Sequence, residues 1–162
     1  MDTIQEALGN YCSNISIFMN KIICSGALFY CIQTQRFLLL YREKSKAKNV
    51  WGLVGGRNEY AETPWSGLKR EIEEEIGFIP DIKKTVPLET FISTDEHFNF
   101  HTYLCVVESE FIPTLNDEHS GYAWVQMNKW PKPLHHGLQN TLRSKTNLKK
   151  LDTVIRLIEV ID

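Results

Sequence analysis

A chain of 162 residues that is 43% hydrophobic, 11% aromatic and 23% charged has ordinary globular usage, which excludes collagen-like, low-complexity and wholly disordered chains. Its 18 Lys and Arg stand against 20 Asp and Glu, a net charge of −2, so the chain as a whole exerts no electrostatic pull on nucleic acid or an anionic membrane. A local site for a small, highly charged ligand can still run against that average.

Residues 1–20 are weakly patterned and could form a short helix or strand against the body. Residues 22–32 (IICSGALFYCI) are β-branched, aromatic or small and read as a largely buried strand. Gln33 to Gln35 is a polar turn, and Phe37 to Tyr41 (FLLLY) is the returning strand of a hairpin. Residues 42–49 form a basic loop. Trp51 to Val54 is a short apolar segment running into Gly55-Gly56.

The spacing predicts a helix over 63–76. Thr63 suits its N-cap and Pro64 its first position. Trp65, Leu68, Ile72 and Ile76 recur at helical spacing, and Gly77 can end the helix. Strands are expected over 87–94 and 97–107, with Asp95-Glu96 at the turn between them, and over 122–127. Trp130 to Pro133 breaks the chain. Two helices follow, near 137–144 and 148–161, the second with Leu151, Ile155 and Ile158 on one face. With no repeat or linker, the reading is one α/β domain over residues 1–162, a mixed sheet covered by helices.

The four cysteines, Cys12, Cys24, Cys31 and Cys105, form no CxxC pair, which argues against zinc and for small buried side chains in a reducing compartment. The first residues, Met-Asp-Thr-Ile-Gln-Glu, lack the charge and apolar core of a secretion signal. No apolar run is long enough to cross a bilayer. The expectation is a cytoplasmic protein without a membrane partner.

The chemistry concentrates in residues 56–78. On a helix at about 100° per residue, Glu71, Glu74 and Glu75 fall within a third of the circumference, next to the apolar stripe. Three glutamates alone would be explained by a solvated acidic face. Like charges so placed repel, however, and a divalent cation among them would remove that repulsion. Oxygen-only ligands suit Mg²⁺ and Mn²⁺, which keep positions open for water and phosphate. The glycine pair before them allows close backbone approach to a metal or a phosphate.

The full pattern resembles the Nudix box: Gly56, five residues, Glu62, seven residues, Arg70-Glu71, Ile72, any residue, Glu74-Glu75, any residue, Gly77 and Phe78. Every position matches. The resemblance implies an α/β/α sandwich and a pyrophosphohydrolase that uses Mg²⁺, for which Mn²⁺ can substitute. By position, Glu74 and Glu75 match the principal metal ligands. Glu71 matches a ligand or base, and Gly55 a residue whose carbonyl contacts metal. Arg70 and Glu62 match a pair bracing the loop on the helix. Val54 departs from the proline that many members carry, without removing a catalytic group.

Glu118, in Asp117-Glu118-His119, matches a further acid recruited from a late loop as ligand or base. Arg42 matches a phosphate contact, and Arg57 could reach a distal phosphate. Trp51, Tyr60, Phe98, Phe100 and Tyr103 could stack on a base or ribose; Tyr103 is taken as the substrate contact. The His135-His136 pair follows Pro133-Leu134 in a loop, where imidazole near a phosphodiester could be catalytic or merely polar. The implied partner is a small nucleotide, without duplex nucleic acid; a homodimer is allowed.

The expected reaction is attack of water at phosphorus in a nucleoside diphosphate derivative: an ADP-ribose-like compound, a dinucleoside polyphosphate or a nucleotide sugar. The stretches 42–57 and 117–124 also look like the GDP-mannose hydrolase branch, which attacks the sugar carbon and carries a damaged box, whereas this box is complete. A non-catalytic nucleotide sensor would usually lack box glutamates. An isopentenyl diphosphate isomerase would need a well-placed catalytic cysteine, and Cys105 sits mid-strand without an acidic neighbour.

Overall fold

The structure, a computed structural model, describes residues 21–44 and 46–161. The reading of residues 1–20 as a helix or strand lies outside the described residues. Seven strands form one sheet: β1 (Ile22–Cys31), β2 (Arg36–Arg42), β3 (Val50–Gly52), β4 (Val54–Arg57), β5 (Ile82–Ile92), β6 (Phe98–Val107) and β7 (His119–Gln126). Among the described residues three helices accompany them: α1 (Pro64–Ile76), α2 (His136–Arg143) and α3 (Lys145–Ile161).

The sheet is mixed. β1 and β6 run parallel in unbroken register from Ile22 opposite Phe98 to Cys31 opposite Val107. Among the described residues, every other pairing between these strands is antiparallel. Along β1, residues 29–31 pair with β2 and residues 24–27 pair with β4. The first half of β1 therefore fixes the position of Gly55 and Gly56.

Alternation along β1 and β2 builds two cores. Leu28, Tyr30, Phe37 and Leu39 pack with Leu138, Leu142, Leu151 and Ile158 of α2 and α3. Ala27, Phe29, Leu38 and Leu40 pack with Leu68, Ile72 and Ile76 of α1. Burial on both faces explains why these strands read as continuous apolar runs.

Helix α1 starts and stops as its sequence dictates. Thr63 Oγ1 accepts from the Ser66 N–H at 3.1 Å, and Pro64 takes the first position. Gly77 adopts the left-handed conformation, φ 84°, and its N–H closes on the Glu73 carbonyl.

Helix α3 starts at Lys145 instead of residue 148, and the strands differ from expectation in three places. β5 starts at Ile82 instead of residue 87, because Ile82 and Val86 pack inward while Lys83 and Thr85 face water. β7 starts at His119 instead of 122, extended by pairing with Arg42. The segment Trp51–Val54 falls in two strands, β3 and β4, separated at Leu53. No helix among the described residues is long and apolar enough to cross a membrane.

Candidate active site

The site is built where β4 meets α1. Gly55, at φ 141°, lies opposite Gly26 of β1, and a side chain here would run into the Ser25 carbonyl. Only glycine fits. Its N–H donates to Glu75 Oε2 at 2.7 Å. A Cβ at Gly56 would sit 2.7 Å from the Glu71 carboxyl. The glycine pair thus lets two helix carboxylates lie directly on the strand backbone.

Arg70 organises the remainder. It grips both oxygens of Glu62, at 2.9 and 3.0 Å, and donates to the Arg57 carbonyl at 3.0 Å. A further nitrogen reaches Glu71 Oε1 at 2.9 Å and Glu74 Oε2 at 3.2 Å. These bonds hold the Glu62 carboxyl below its ordinary range. Asn58 ties the loop down, accepting from Ser25 Oγ at 3.0 Å and donating to the Thr63 carbonyl at 2.8 Å.

The helical wheel put all three glutamates on one exposed face, and the structure corrects this. Glu74 is exposed and Glu71 half-buried, but Glu75 is 3% exposed beneath the Gly55 backbone. Burial pushes the Glu75 carboxyl up to about 8, against the Gly55 bond and the Arg42 charge. Burial also raises Glu71, despite Arg70 beside it. The Asn116 N–H donates to the Glu75 carbonyl at 3.4 Å, which holds the loop of Glu118 against α1, and the negative charge of Glu118 raises both carboxyls.

His119 is buried against the Glu75 carboxylate, and burial together with the Arg42 charge lowers its imidazole to about 4. Its ring is fully buried, and Nδ1 faces Asn116 Oδ1 at 3.0 Å. Asn116 Oδ1 also accepts from the Glu118 N–H, so Nδ1 carries the proton. Nε2 then turns a lone pair toward Glu75 Oε1, 3.7 Å away, with no hydrogen-bond partner. The oxygen donors of Glu71, Glu74 and Glu75 with the Gly55 carbonyl fit a hard divalent cation. Among the described residues no three metal-ligating side chains are already closed around one point. Two of these carboxylates are instead turned onto Arg70.

Beside the glycine pair opens a cavity of about 470 Å³. Arg42 and Arg57 line it next to Gly55 and Gly56. Phe91, Phe98 and Phe100 form an aromatic wall, with ring centroids 6.3 and 6.4 Å apart in succession. His135 and His136 close another side, their rings 4.6 Å apart. His135 Nδ1 also caps α2 by accepting the Gly137 N–H at 3.2 Å.

Of the sequence candidates, Glu71, Glu74, Glu75, Gly55, Arg70, Glu118, Arg42 and Arg57 thus converge on one corner. Tyr103 does not. It packs on Trp65 at 5.6 Å on the α1 side of the sheet, the face opposite Phe100. Tyr60 points into solvent at 93% exposure, and Trp51 packs on Tyr41 at 5.2 Å. The lysines of the loop stay outside the site; Lys44 makes an exposed pair with Asp117. Sequence reasoning missed Glu89, Asn140 and Thr141, which also line the cavity. Nothing local in the sequence marked them.

A NUDIX domain profile matches residues 25–144. A dihydroneopterin triphosphate diphosphatase of Haemophilus influenzae is 30% identical over 121 residues, which cover 63% of this chain and 72% of that one. A MutT NUDIX hydrolase of Burkholderia pseudomallei superposes with a TM-score of 0.64 at 27% identity, over 77% of this chain and 98% of its own. The NUDIX domain of Shewanella oneidensis NrtR, solved in complex with ADP ribose, shares the fold at a TM-score of 0.64 and 16% identity, over 81% of this chain and 88% of its own. The arrangement around Gly55 and these likenesses agree: the chain belongs to the Nudix hydrolase family and is a pyrophosphohydrolase.

Proposed function

We propose that the chain hydrolyses the diphosphate linkage of a small nucleotide or nucleotide-like triphosphate by attack of water at phosphorus. The observation that carries this reading is the junction of two regions. A cavity lined by Arg42 and Arg57 opens at the glycine pair on which Glu71 and Glu75 lie. The relative that acts on a triphosphate supports it.

Nudix hydrolases generally need divalent metal ions. Here Glu71, Glu74, Glu75 and the Gly55 carbonyl would hold Mg²⁺ or Mn²⁺, which would neutralise phosphate charge and acidify water. The chain's own groups do the rest. Arg42 and Arg57 bind phosphate oxygens and orient the chain of phosphates toward the box. Arg70 positions Glu71 and Glu74 and keeps Glu62 on the loop. Glu118, the exposed acid beside the box, accepts the proton of the attacking water. Phe98 and Phe100 exclude solvent along one wall of the cavity, with the Phe100 ring against Gly26 opposite Gly55.

The test is a panel of nucleoside triphosphates, pterin triphosphates, dinucleoside polyphosphates, ADP-ribose and nucleotide sugars, run with Mg²⁺ in ¹⁸O-labelled water. Label is expected in a phosphate product, and chelation is expected to abolish turnover until metal is restored. Label in a free sugar, with intact nucleoside diphosphate released, would show attack at carbon and overturn the reading.

A further inference from the structure

The far end of the cavity carries a carboxylate that the diphosphate chemistry does not use. Glu89 lies on β5, and the β5–β6 register slips there: Pro87 opposes Tyr103, yet Glu89 opposes Thr102. Leu88 is the extra residue. It enters the core beneath the cavity at 4% exposure, while Glu89 lines the cavity itself, on the face of Thr102 and Phe100. Regular alternation would send one of these two neighbours to the opposite face. The bulge sends both inward and aims a charged side chain into an aromatic-walled space.

The aim is fixed by a second and a third contact. Thr141 Oγ1, on a residue 7% exposed, donates to Glu89 Oε2 at 2.5 Å. Lys150 Nζ on α3 donates to the carbonyls of Pro87, at 2.5 Å, and Leu88, at 3.1 Å, pinning the bulge from behind. One carboxylate oxygen is thereby anchored, and lone pairs remain for a ligand. Phe98 and Phe100 offer flat apolar surfaces in the same space, and Asn140 adds an amide.

We propose that Glu89 is the ring-reading residue of this cavity and selects a 2-amino-4-oxopyrimidine ring, as carried by guanine and by pterins. This rests on the reading of the cavity as the substrate site. An ionised carboxylate only accepts hydrogen bonds. It matches a ring edge with two adjacent donors, the ring N–H and the exocyclic amino group. Adenine and cytosine present an acceptor beside their amino group, and uracil flanks its N–H with two carbonyls. Hypoxanthine keeps the ring N–H but lacks the amino group. The amide of Asn140 supplies a donor for the 4-oxo group.

The test measures kcat/KM for GTP, ITP, ATP and a pterin triphosphate in the wild type, Glu89→Gln and Thr141→Val, with Tm recorded for each. The wild type should prefer GTP or the pterin compound over ITP by about tenfold or more, and over ATP by a wider margin. Glu89→Gln should lower turnover of the two-donor substrates at least about tenfold more than that of ITP. Thr141→Val should move the same ratio in the same direction by less. The better of GTP and the pterin compound identifies the source of the ring. A second arm needs no turnover: calorimetric binding of GMP, IMP and AMP in EDTA, with the same ordering expected. If no triphosphate is hydrolysed but this ordering holds and depends on Glu89, the proposed reaction has failed and the ring reading stands. Equal use of GTP and ITP, an adenosine compound as best substrate, or a ratio unmoved in Glu89→Gln overturns it.

Discussion

Replacing Glu75 with Gln separates what the buried carboxylate does to stability from what it does to catalysis. A carboxyl whose folded value is raised from 4.5 to about 8 binds its proton more tightly in the native state. Its effect is therefore absent below pH 4.5, and it destabilises the native state increasingly as pH rises toward 8. His119 works the other way: burial lowers it from 6.5 to about 4, so stability is lost as pH falls through that range. Between pH 6.5 and 8 only Glu75 of this pair acts, and the wild type without metal should lose ~2 kcal/mol. For a chain of this size that is a fall in Tm of roughly 4–8 °C. Glu75→Gln cannot ionise, so its Tm in EDTA should stay nearly level across the window. It should also gain less from added Mg²⁺, and its turnover should fall by roughly 10²–10⁴. Thermal unfolding at half-unit pH steps, with and without EDTA, measures all of this. A wild-type Tm that is level or rising from pH 6.5 to 8, or a variant that follows the wild-type slope, would show that Glu75 does not hold its proton in the native state.

Other substitutions test neighbouring parts of the site. Ile72→Ala empties a fully buried position under α1 and should cost about 2–5 kcal/mol in denaturant unfolding, while residual folded enzyme keeps its substrate preference. Gly56→Ala places a methyl group 2.7 Å from the Glu71 carboxyl and should displace it, lowering kcat about 10²-fold with a small change in Tm. Arg70→Lys keeps the charge but cannot grip both Glu62 oxygens and the Arg57 carbonyl together. It should cost about 1–2 kcal/mol in denaturant unfolding and lower kcat, and an unchanged enzyme would show that the brace is dispensable.

Much of this was legible in the sequence because its determinants are local. Thr63, Pro64 and Gly77 bound α1 through contacts within a few residues, and Ile72 and Ile76 follow from helical period alone. The box glutamates announced the chemistry for the same reason. What escaped was set at long range. A helical wheel gives the angle of Glu75 but not the strand backbone that covers it. The start of β5 was masked by Lys83 and Lys84, which suit an edge strand once β6 is beside it. Tyr103 could be assigned a face only after the β1–β6 register fixed which alternate residues meet α1. Glu89 reaches the cavity through a bulge, and a one-residue slip in register has no composition signature.

The parallel pairing of β1 with β6 also bears on how the enzyme comes into being. Its partners lie far apart in the chain, Ile22 with Phe98 and Cys31 with Val107. Closing so long a loop costs entropy before any contact rewards it, and folds dominated by such pairings assemble in milliseconds to seconds rather than microseconds. Helix α1, with its caps and its glutamates, can take shape early from nearby residues. The phenylalanine wall reaches the strand that registers the glycine pair only when β6 docks. During synthesis, a chain that has not yet released residue 107 therefore carries the acidic helix without the phenylalanine wall, and the cavity gains its remaining lining only when residues 135–141 follow.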